Sequence, residues 1–305
     1  MCREAWTRVP HDILKPILTW GEMVKFSHSV FALPFALFAT FLASRDLPGG
    51  WPGWGRIGLI IACMVSARSF AMTFNRICDA ALDARNPRTA TRPIPAGKIT
   101  LVQAWVFTAV AAIVFVIAAA GFGRFFGNWW PMKLSPVVLA ALAFYSYCKR
   151  FTALAHFVLG AVIASAPTAA WIAVNPATLD MTVVLLTLAV MFWIAGFDII
   201  YACQDVEIDR RDGLFSIPAR LGVAKALFAS RACHVVTVAM LLGLGFHAGL
   251  GSWYWAGAAA TAVLLFVEQS LVRANDLSRV NLAFFTVNGF ISLMLGAAGI
   301  VDVMT

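Results

Sequence analysis

Charge is what this chain has least of. Only 12% of its residues are Asp, Glu, Lys or Arg, against roughly 25% in a soluble globular chain. With 61% of residues apolar, a water-soluble domain is excluded. Cysteine is sparse and unpaired. Cys2, Cys63, Cys78, Cys148, Cys203 and Cys233 form no CxxC pair and fall mostly in or beside apolar runs. That pattern excludes a zinc ribbon or disulfide framework and fits small core residues. The five histidines form no HxxxH pair, so nothing supports a transition-metal site. Strand-period alternation is missing too, which excludes a transmembrane barrel and leaves helices to carry the membrane spans. Residues 1–22 have no apolar core followed by a small-residue cleavage site, so they do not read as a signal peptide. Their mixed charge, with Trp6, Ile13, Leu14, Leu18 and Trp20, predicts an amphipathic segment lying on the membrane surface.

The apolar residues are grouped in long runs. The length criterion of about 20 residues predicts nine spans, at 25–44, 57–78, 101–122, 134–148, 152–173, 179–203, 224–246, 253–271 and 281–301. The expected fold is therefore an all-α, multi-pass transmembrane bundle occupying residues 23–305. The net charge of +8 would suit nucleic acid, but the basic residues sit in short loops, where the positive-inside bias accounts for them. Alternation of the spans puts 17 Lys and Arg on the N-terminal side and 4 on the other. The N-terminal side is thus expected to be cytoplasmic.

The few acidic residues are not scattered. Asn75, Asp79 and Asp83 follow at intervals of four at the end of the second apolar run, and Asp198, Asp205 and Asp209 follow at seven and four at the end of the sixth. Such spacings share one helical face. Asp79 to Asp205 and Asp83 to Asp209 are both 126 positions apart, which implies a pseudo-repeat whose halves meet at one site. A single Asp at a membrane helix end is usually only solvated. Two stripes of matched spacing on the same side are better read as a site.

Each stripe runs into a loop rich in Arg, Pro and Gly. The first, from Ala84 to Thr100, presents Arg85, Arg88, Arg92 and Lys98; the second runs from Arg210 to Gly222. Close carboxylates repel unless a cation lies between them, and hard cations such as Mg²⁺ prefer oxygen ligands and bring phosphates with them. Asp79, Asp83, Asp205 and Asp209 are therefore the candidate Mg²⁺ ligands, with Arg and Lys neutralising a diphosphate. A lipid bilayer beside such a site has room for a hydrocarbon chain. The predicted chemistry is loss of diphosphate from an allylic prenyl diphosphate and capture of the cation by a nucleophile. Arg68 lies two turns before Asn75 on the same face and is a candidate substrate contact. Lys149 and Arg150 follow the aromatic cluster of Phe144, Tyr145 and Tyr147. Glu207 points off the stripe and reads as a solvated charge. The same charges could belong to a secondary transporter of an organic anion, but a transporter would place them nearer the middle of the membrane.

The two stripes, Asn75-x₃-Asp79-x₃-Asp83 and the run from Phe197 through Asp198, Tyr201, Gln204 and Asp205 to Asp209, resemble the motifs of the UbiA superfamily of intramembrane aromatic prenyltransferases. KFSHSVFALPFALFATFLA from Lys25, RTATRPIPAGKIT from Arg88 and GLFSIPARLG from Gly213 extend the resemblance from about Lys25 to the C-terminus. The resemblance implies a nine-helix bundle with a central cavity capped by cytoplasmic loops, in a bacterial cytoplasmic membrane. It implies two Mg²⁺ ions between the motifs and a polyprenyl diphosphate. Asn75, Asp79 and Asp83 match the first metal motif, and Asp205 and Asp209 the second. Asn75 stands on the diphosphate side with Arg92 and Lys149, which match basic positions there. Arg68 and Tyr145 match cavity residues near substrate, and Asp198 an acidic position near the acceptor and the forming cation. Arg76 departs from the family pattern and is expected beside the metal stripe, not in it. The acceptor implied is an aromatic acid, either 4-hydroxybenzoate for ubiquinone or a dihydroxynaphthoate for menaquinone.

Overall fold

The structure is a computed structural model that describes residues 19–24 and 31–305. Most of the expected surface segment, residues 1–18, lies outside the described residues. Residues 19–24 are helical, and Trp20 stacks on Phe107 with ring centroids 4.5 Å apart. Eleven α-helices follow: α1 (Leu33–Ala43), α2 (Trp54–Arg85), α3 (Leu101–Phe126), α4 (Trp130–Cys148), α5 (Ala155–Val174), α6 (Met181–Ala202), α7 (Val206–Arg211), α8 (Ile217–Leu221), α9 (Val223–His247), α10 (Ser252–Leu271) and α11 (Asn288–Met304). Among the described residues the only β pairing is one isolated bridge, Arg273 to Asp276. Each apolar run expected to span contains a helix, and the short α7 and α8 add two more at the second motif. Length and apolar composition single out six segments able to cross a membrane. The helices outside that criterion are α1, α4, α8 and α10, which carry fewer residues or more polar ones, Glu268 and Gln269 in α10 among them.

The helices are inside-out relative to those of a soluble protein. On α3 most buried positions are small, Ala104, Thr108, Ala111, Ala118, Ala119, Gly121 and Gly123 beside Phe115 and Phe122, while Val102, Trp105, Val106, Val110, Ile113 and Ile117 face outward. Helices that associate in lipid gain nothing from burying oil against oil, so small residues take the contacts and bulky ones meet the acyl chains. An integral membrane protein follows. Thr100 starts α3 with a capping box, its side chain accepting from the Gln103 N–H while Gln103 accepts from the Thr100 N–H.

Helix α6 lies at the centre, between α5 and α9. Two glycines permit the approach. A Cβ on Gly160 would stand 2.4 Å from the Met191 carbonyl oxygen, and one on Gly196 would stand 2.3 Å from the His234 ring. The last helix returns to the first. Gly296 and Gly299 of α11 face Pro34 and Phe38, and the Ser292 hydroxyl donates to the Phe31 carbonyl at 3.1 Å.

A buried polar cluster fixes the approach to α11. Residues Leu282–Val287 form a π-helical turn, which leaves backbone carbonyls short of their ordinary partners. Asn288 serves them: its amide donates to the carbonyls of Ala283 (3.1 Å) and Phe284 (3.3 Å) and to Glu268 Oε1 (2.9 Å), while its oxygen accepts from Trp193 Nε1 (2.7 Å). Asn288 and Glu268 are fully buried. Asn288→Leu would leave several of these groups unpaired at once. It is expected to lower stability by about 2–3 kcal/mol, read as a fall in melting temperature of the purified protein in detergent.

Candidate functional site

A cavity of about 590 Å³ opens among α1 to α6. Its deeper wall is apolar, with Phe31, Ile60, Met64, Phe122, Leu159 and Phe197 among its side chains. Phe284 of the π-helical turn joins this wall. It packs edge-on against Phe31 and Phe197, and its ring lies 4.2 Å from that of Tyr201. The other end is charged. Asn75, Asp79, Asp83, Arg92, Lys149, Asp198, Asp205 and Asp209 all line it, as do Arg68 and Tyr145. Every sequence-predicted site residue is therefore on one cavity.

The first stripe has the expected form. Helix α2 passes the predicted end of its span and continues to Arg85, so Asn75, Asp79 and Asp83 project from one unbroken helix. Its 32 residues extend about 48 Å at 1.5 Å each, well beyond a hydrocarbon core of about 30 Å. The second stripe differs from expectation. The helix is interrupted by a 3-10 turn at Cys203–Asp205 before α7 resumes. Asp198, Asp205 and Asp209 thus do not sit on one regular helical face, though all three still reach the cavity.

Each carboxylate has a basic or hydroxyl partner. Lys149 Nζ contacts Asp79 Oδ2, and Arg150 lies 3.9 Å from Asp79 Oδ1. Arg92 meets Asp83 Oδ1 at 2.6 Å, and Arg76 stands 3.8 Å from Oδ2. Arg76 is buried, lines the cavity and faces Asp83. It stands beside the stripe, about one turn of helix from Asp79 and about two from Asp83. Asp209 Oδ2 accepts from the Ser216 hydroxyl at 2.7 Å, and the same Ser216 oxygen caps α8 by accepting from the Ala219 N–H.

The loops after the stripes tie the two motifs together. Asn86 begins an Asx turn, its side chain accepting from the Arg88 N–H at 2.9 Å. That turn sends Arg88 across to the second motif, where the guanidinium grips both oxygens of Asp205 and donates to the Tyr201 hydroxyl at 2.9 Å. Burial pulls the Arg88 pKa down, but the hydrogen bond and charge of Asp205 outweigh it and hold it above the ordinary arginine value. The Arg211 guanidinium donates to the Arg85 carbonyl at 3.3 Å, so positions 126 apart meet here too. In the second loop the Phe215 N–H donates to the Lys149 carbonyl at 2.7 Å. Glu207, read as a solvated charge, is exposed.

Three side chains join the predicted set. Arg88 and Tyr201 line the same cavity and hydrogen-bond to each other. His156, in the first turn of α5, is 5% exposed, and its Nδ1 lies 2.7 Å from Asp198 Oδ2. Arg88 is legible as part of an arginine-rich loop, but a lone histidine opening an apolar helix carries no sequence signal of a partner 42 residues away.

The donor set suits a hard cation. Its carboxylates offer only oxygen, and two of those oxygens, Asp79 Oδ1 and Asp83 Oδ2, are buried without a hydrogen-bond partner. Among the described residues no three His, Cys, Asp or Glu side chains form a ready-made cluster. The carboxylates come instead as pairs on two elements, an arrangement that leaves remaining ligand positions for water or phosphate oxygens, as Mg²⁺ prefers.

The comparisons with known proteins agree with this geometry. Residues 32–294 match the model of the UbiA prenyltransferase family. A 4-hydroxybenzoate octaprenyltransferase from Pseudoalteromonas atlantica is 28% identical over 265 residues, covering 86% of this chain and 90% of its own. One from Cupriavidus necator is 28% identical, with 89% and 93% covered. Among solved structures, a UbiA homolog from Aeropyrum pernix superposes with a TM-score of 0.79 at 33% identity, over 90% of this chain and 98% of that one. A UbiA homolog from Archaeoglobus fulgidus bound to DMAPP and Mg²⁺ shares the fold, with a TM-score of 0.70 at 18% identity, over 93% and 99%. The paired motifs, the cavity between them and the match over most of the chain lead to one conclusion: this protein belongs to the UbiA prenyltransferase family and is a prenyltransferase.

Proposed function

We propose that this chain joins a polyprenyl group, taken from a polyprenyl diphosphate, to the ring of an aromatic acid of the 4-hydroxybenzoate type, with Mg²⁺, in respiratory quinone synthesis. One observation carries the reading. A single cavity is apolar at its deep end and bears alternating carboxylates and basic side chains at its mouth. A molecule with a long hydrocarbon and an anionic head matches both ends. In this reading nine helices span a bacterial cytoplasmic membrane, and the mouth faces the cytoplasm, where positive loops and charged substrates are found.

Asp79, Asp83, Asp205 and Asp209 would hold Mg²⁺, with Asn75 beside them. The ion supplies neutralisation of the diphosphate oxygens, so that the leaving group departs already stabilised. Arg92, Lys149 and Arg88 bind the diphosphate and orient its allylic carbon. The allylic C–O bond breaks and diphosphate keeps the electron pair. A ring carbon ortho to the phenol hydroxyl then forms the new C–C bond. Phe197, Phe284 and Tyr201 turn aromatic surfaces toward the cavity, a favourable setting for a transient cation. Tyr145 and Arg68 contact the substrates from α4 and α2. Asp198 lies at the acceptor, where its carboxylate stabilises the cationic ring and takes the proton that leaves as aromaticity returns.

The test is a prenyl-transfer assay in membranes with Mg²⁺, geranyl diphosphate, and 4-hydroxybenzoate competing with 1,4-dihydroxy-6-naphthoate. Prenylated 4-hydroxybenzoate is the expected product. Exclusive prenylation of the naphthoate would move the chain to menaquinone synthesis with its mechanism intact. Absence of any Mg²⁺-dependent diphosphate release would return weight to anion transport.

A further inference from the structure

We propose that His156 is a positioning residue that aims the Asp198 carboxylate at the acceptor and links it to the loop carrying Asp209. The proposal rests on the prenyl-transfer reading. His156 makes two contacts, one from each ring nitrogen. Nδ1 lies 2.7 Å from Asp198 Oδ2, and Nε2 receives the backbone N–H of Ile217 at 3.3 Å. A backbone N–H can only donate, so Nε2 presents its lone pair. The proton of the neutral ring is then on Nδ1, where it is donated to the carboxylate. His156 thus holds one oxygen of Asp198 while the side chain stays 21% exposed toward the cavity it lines.

The second contact is informative because of where Ile217 lies. It opens α8 directly after Ser216, whose hydroxyl donates to Asp209 and caps the same helix. Hydrogen bonds join Asp209 to Ser216 and Ile217 through His156 to Asp198, and the Ser216–Ile217 peptide bond connects the two pairs. One end is a diphosphate-side carboxylate and the other is the acceptor-side carboxylate. A shift of the second loop on substrate binding would move the histidine that sets the Asp198 rotamer. Orienting partners of this kind are worth about 10- to 100-fold when removed from other sites.

The experiment uses the full chain, Mg²⁺, geranyl diphosphate and whichever of the two acceptors the wild type prenylates. His156→Leu removes both contacts. His156→Gln keeps a donor and an acceptor at similar separation. For His156→Leu the expected loss in kcat/KM for the acceptor is about 10- to 100-fold, with the KM for geranyl diphosphate within about two-fold, a split that mere loosening of the fold would not produce. His156→Gln should recover most of the loss. The double variant with Asp198→Asn should be no worse than Asp198→Asn alone, since the histidine acts through the aspartate. If His156→Leu does not accumulate, His156→Phe fills the ring volume and carries the same expectation. Acceptor kinetics unchanged in His156→Leu, equal losses in Leu and Gln, or additive effects with Asp198→Asn would each overturn the assignment. A wild type inactive on both acceptors would instead overturn the prenyl-transfer reading, and this proposal with it.

Discussion

Asp79→Asn is expected to reduce prenyl transfer by about 1000-fold or more while the protein melts no lower than the wild type. The two halves of that result have the same origin. Asp79 is 2% exposed and its Oδ1 has no hydrogen-bond partner. A buried carboxylate oxygen without a hydrogen bond is costly for the fold. Asparagine has the same shape and no charge, so it removes the cost and the cation-binding capacity together. Lys149 loses its counter-ion, but it is 34% exposed and reaches water. Asp83→Asn should behave alike, since its Oδ2 also lacks a hydrogen-bond partner. Asp205→Asn should not. Asp205 anchors Arg88 and accepts from the Asn86 amide at 3.3 Å, so its loss should abolish turnover and also speed proteolysis and hydrogen exchange in residues 86–98. Full activity in Asp79→Asn or Asp205→Asn would eliminate the metal-bridging role.

Lys149→Met is expected to fail in the opposite way, losing both activity and stability. Methionine keeps the length of the apolar stem and deletes the ammonium. The buried Asp79 would then have only Arg150 at 3.9 Å. Breaking a buried pair from one side costs about 3–5 kcal/mol; because the lysine is partly solvated, about 2–3 kcal/mol is expected. The KM for the prenyl diphosphate should rise by about 100-fold, as for removal of a charge-assisted contact worth about 3 kcal/mol. Two further readouts separate the roles. Adding Asp79→Asn should restore the lost stability without restoring activity, a coupling that a double-mutant cycle measures. Mg²⁺ should raise the melting temperature more in Lys149→Met than in the wild type, because the freed carboxylate has no ammonium competing for it. An unchanged KM for prenyl diphosphate in Lys149→Met would confine Lys149 to neutralising Asp79.

The first motif was legible because everything that shapes it is local. Asn75, Asp79 and Asp83 repeat at helical spacing and α2 has no Pro or Gly near them, so periodicity and geometry coincide. The second motif was only half legible. Nothing in Cys203-Gln204-Asp205 breaks a helix by propensity. The 3-10 turn occurs where Arg88 and Asn86, more than 110 positions earlier, bond to Asp205 and Tyr201. Tertiary contacts of that range have no period to detect. His156 was hidden for the same reason. Glu268 had a signal of its own, a lone carboxyl inside an apolar run. Its role in holding the π-helical turn depends on Asn288, 20 residues on, and could not be read without the fold.

The contact between α1 and α11 has a consequence for biogenesis. Phe31, Phe35 and Phe38 enter the membrane early in synthesis, yet the Ser292, Gly296 and Gly299 surface that meets this helix is made some 260 residues later. Phe284 and its anchor Asn288 also arrive last. Until the last helices leave the ribosome, the apolar wall of the cavity lacks Phe284. The face of α1 that packs on α11 therefore waits for its partner until the chain is nearly complete.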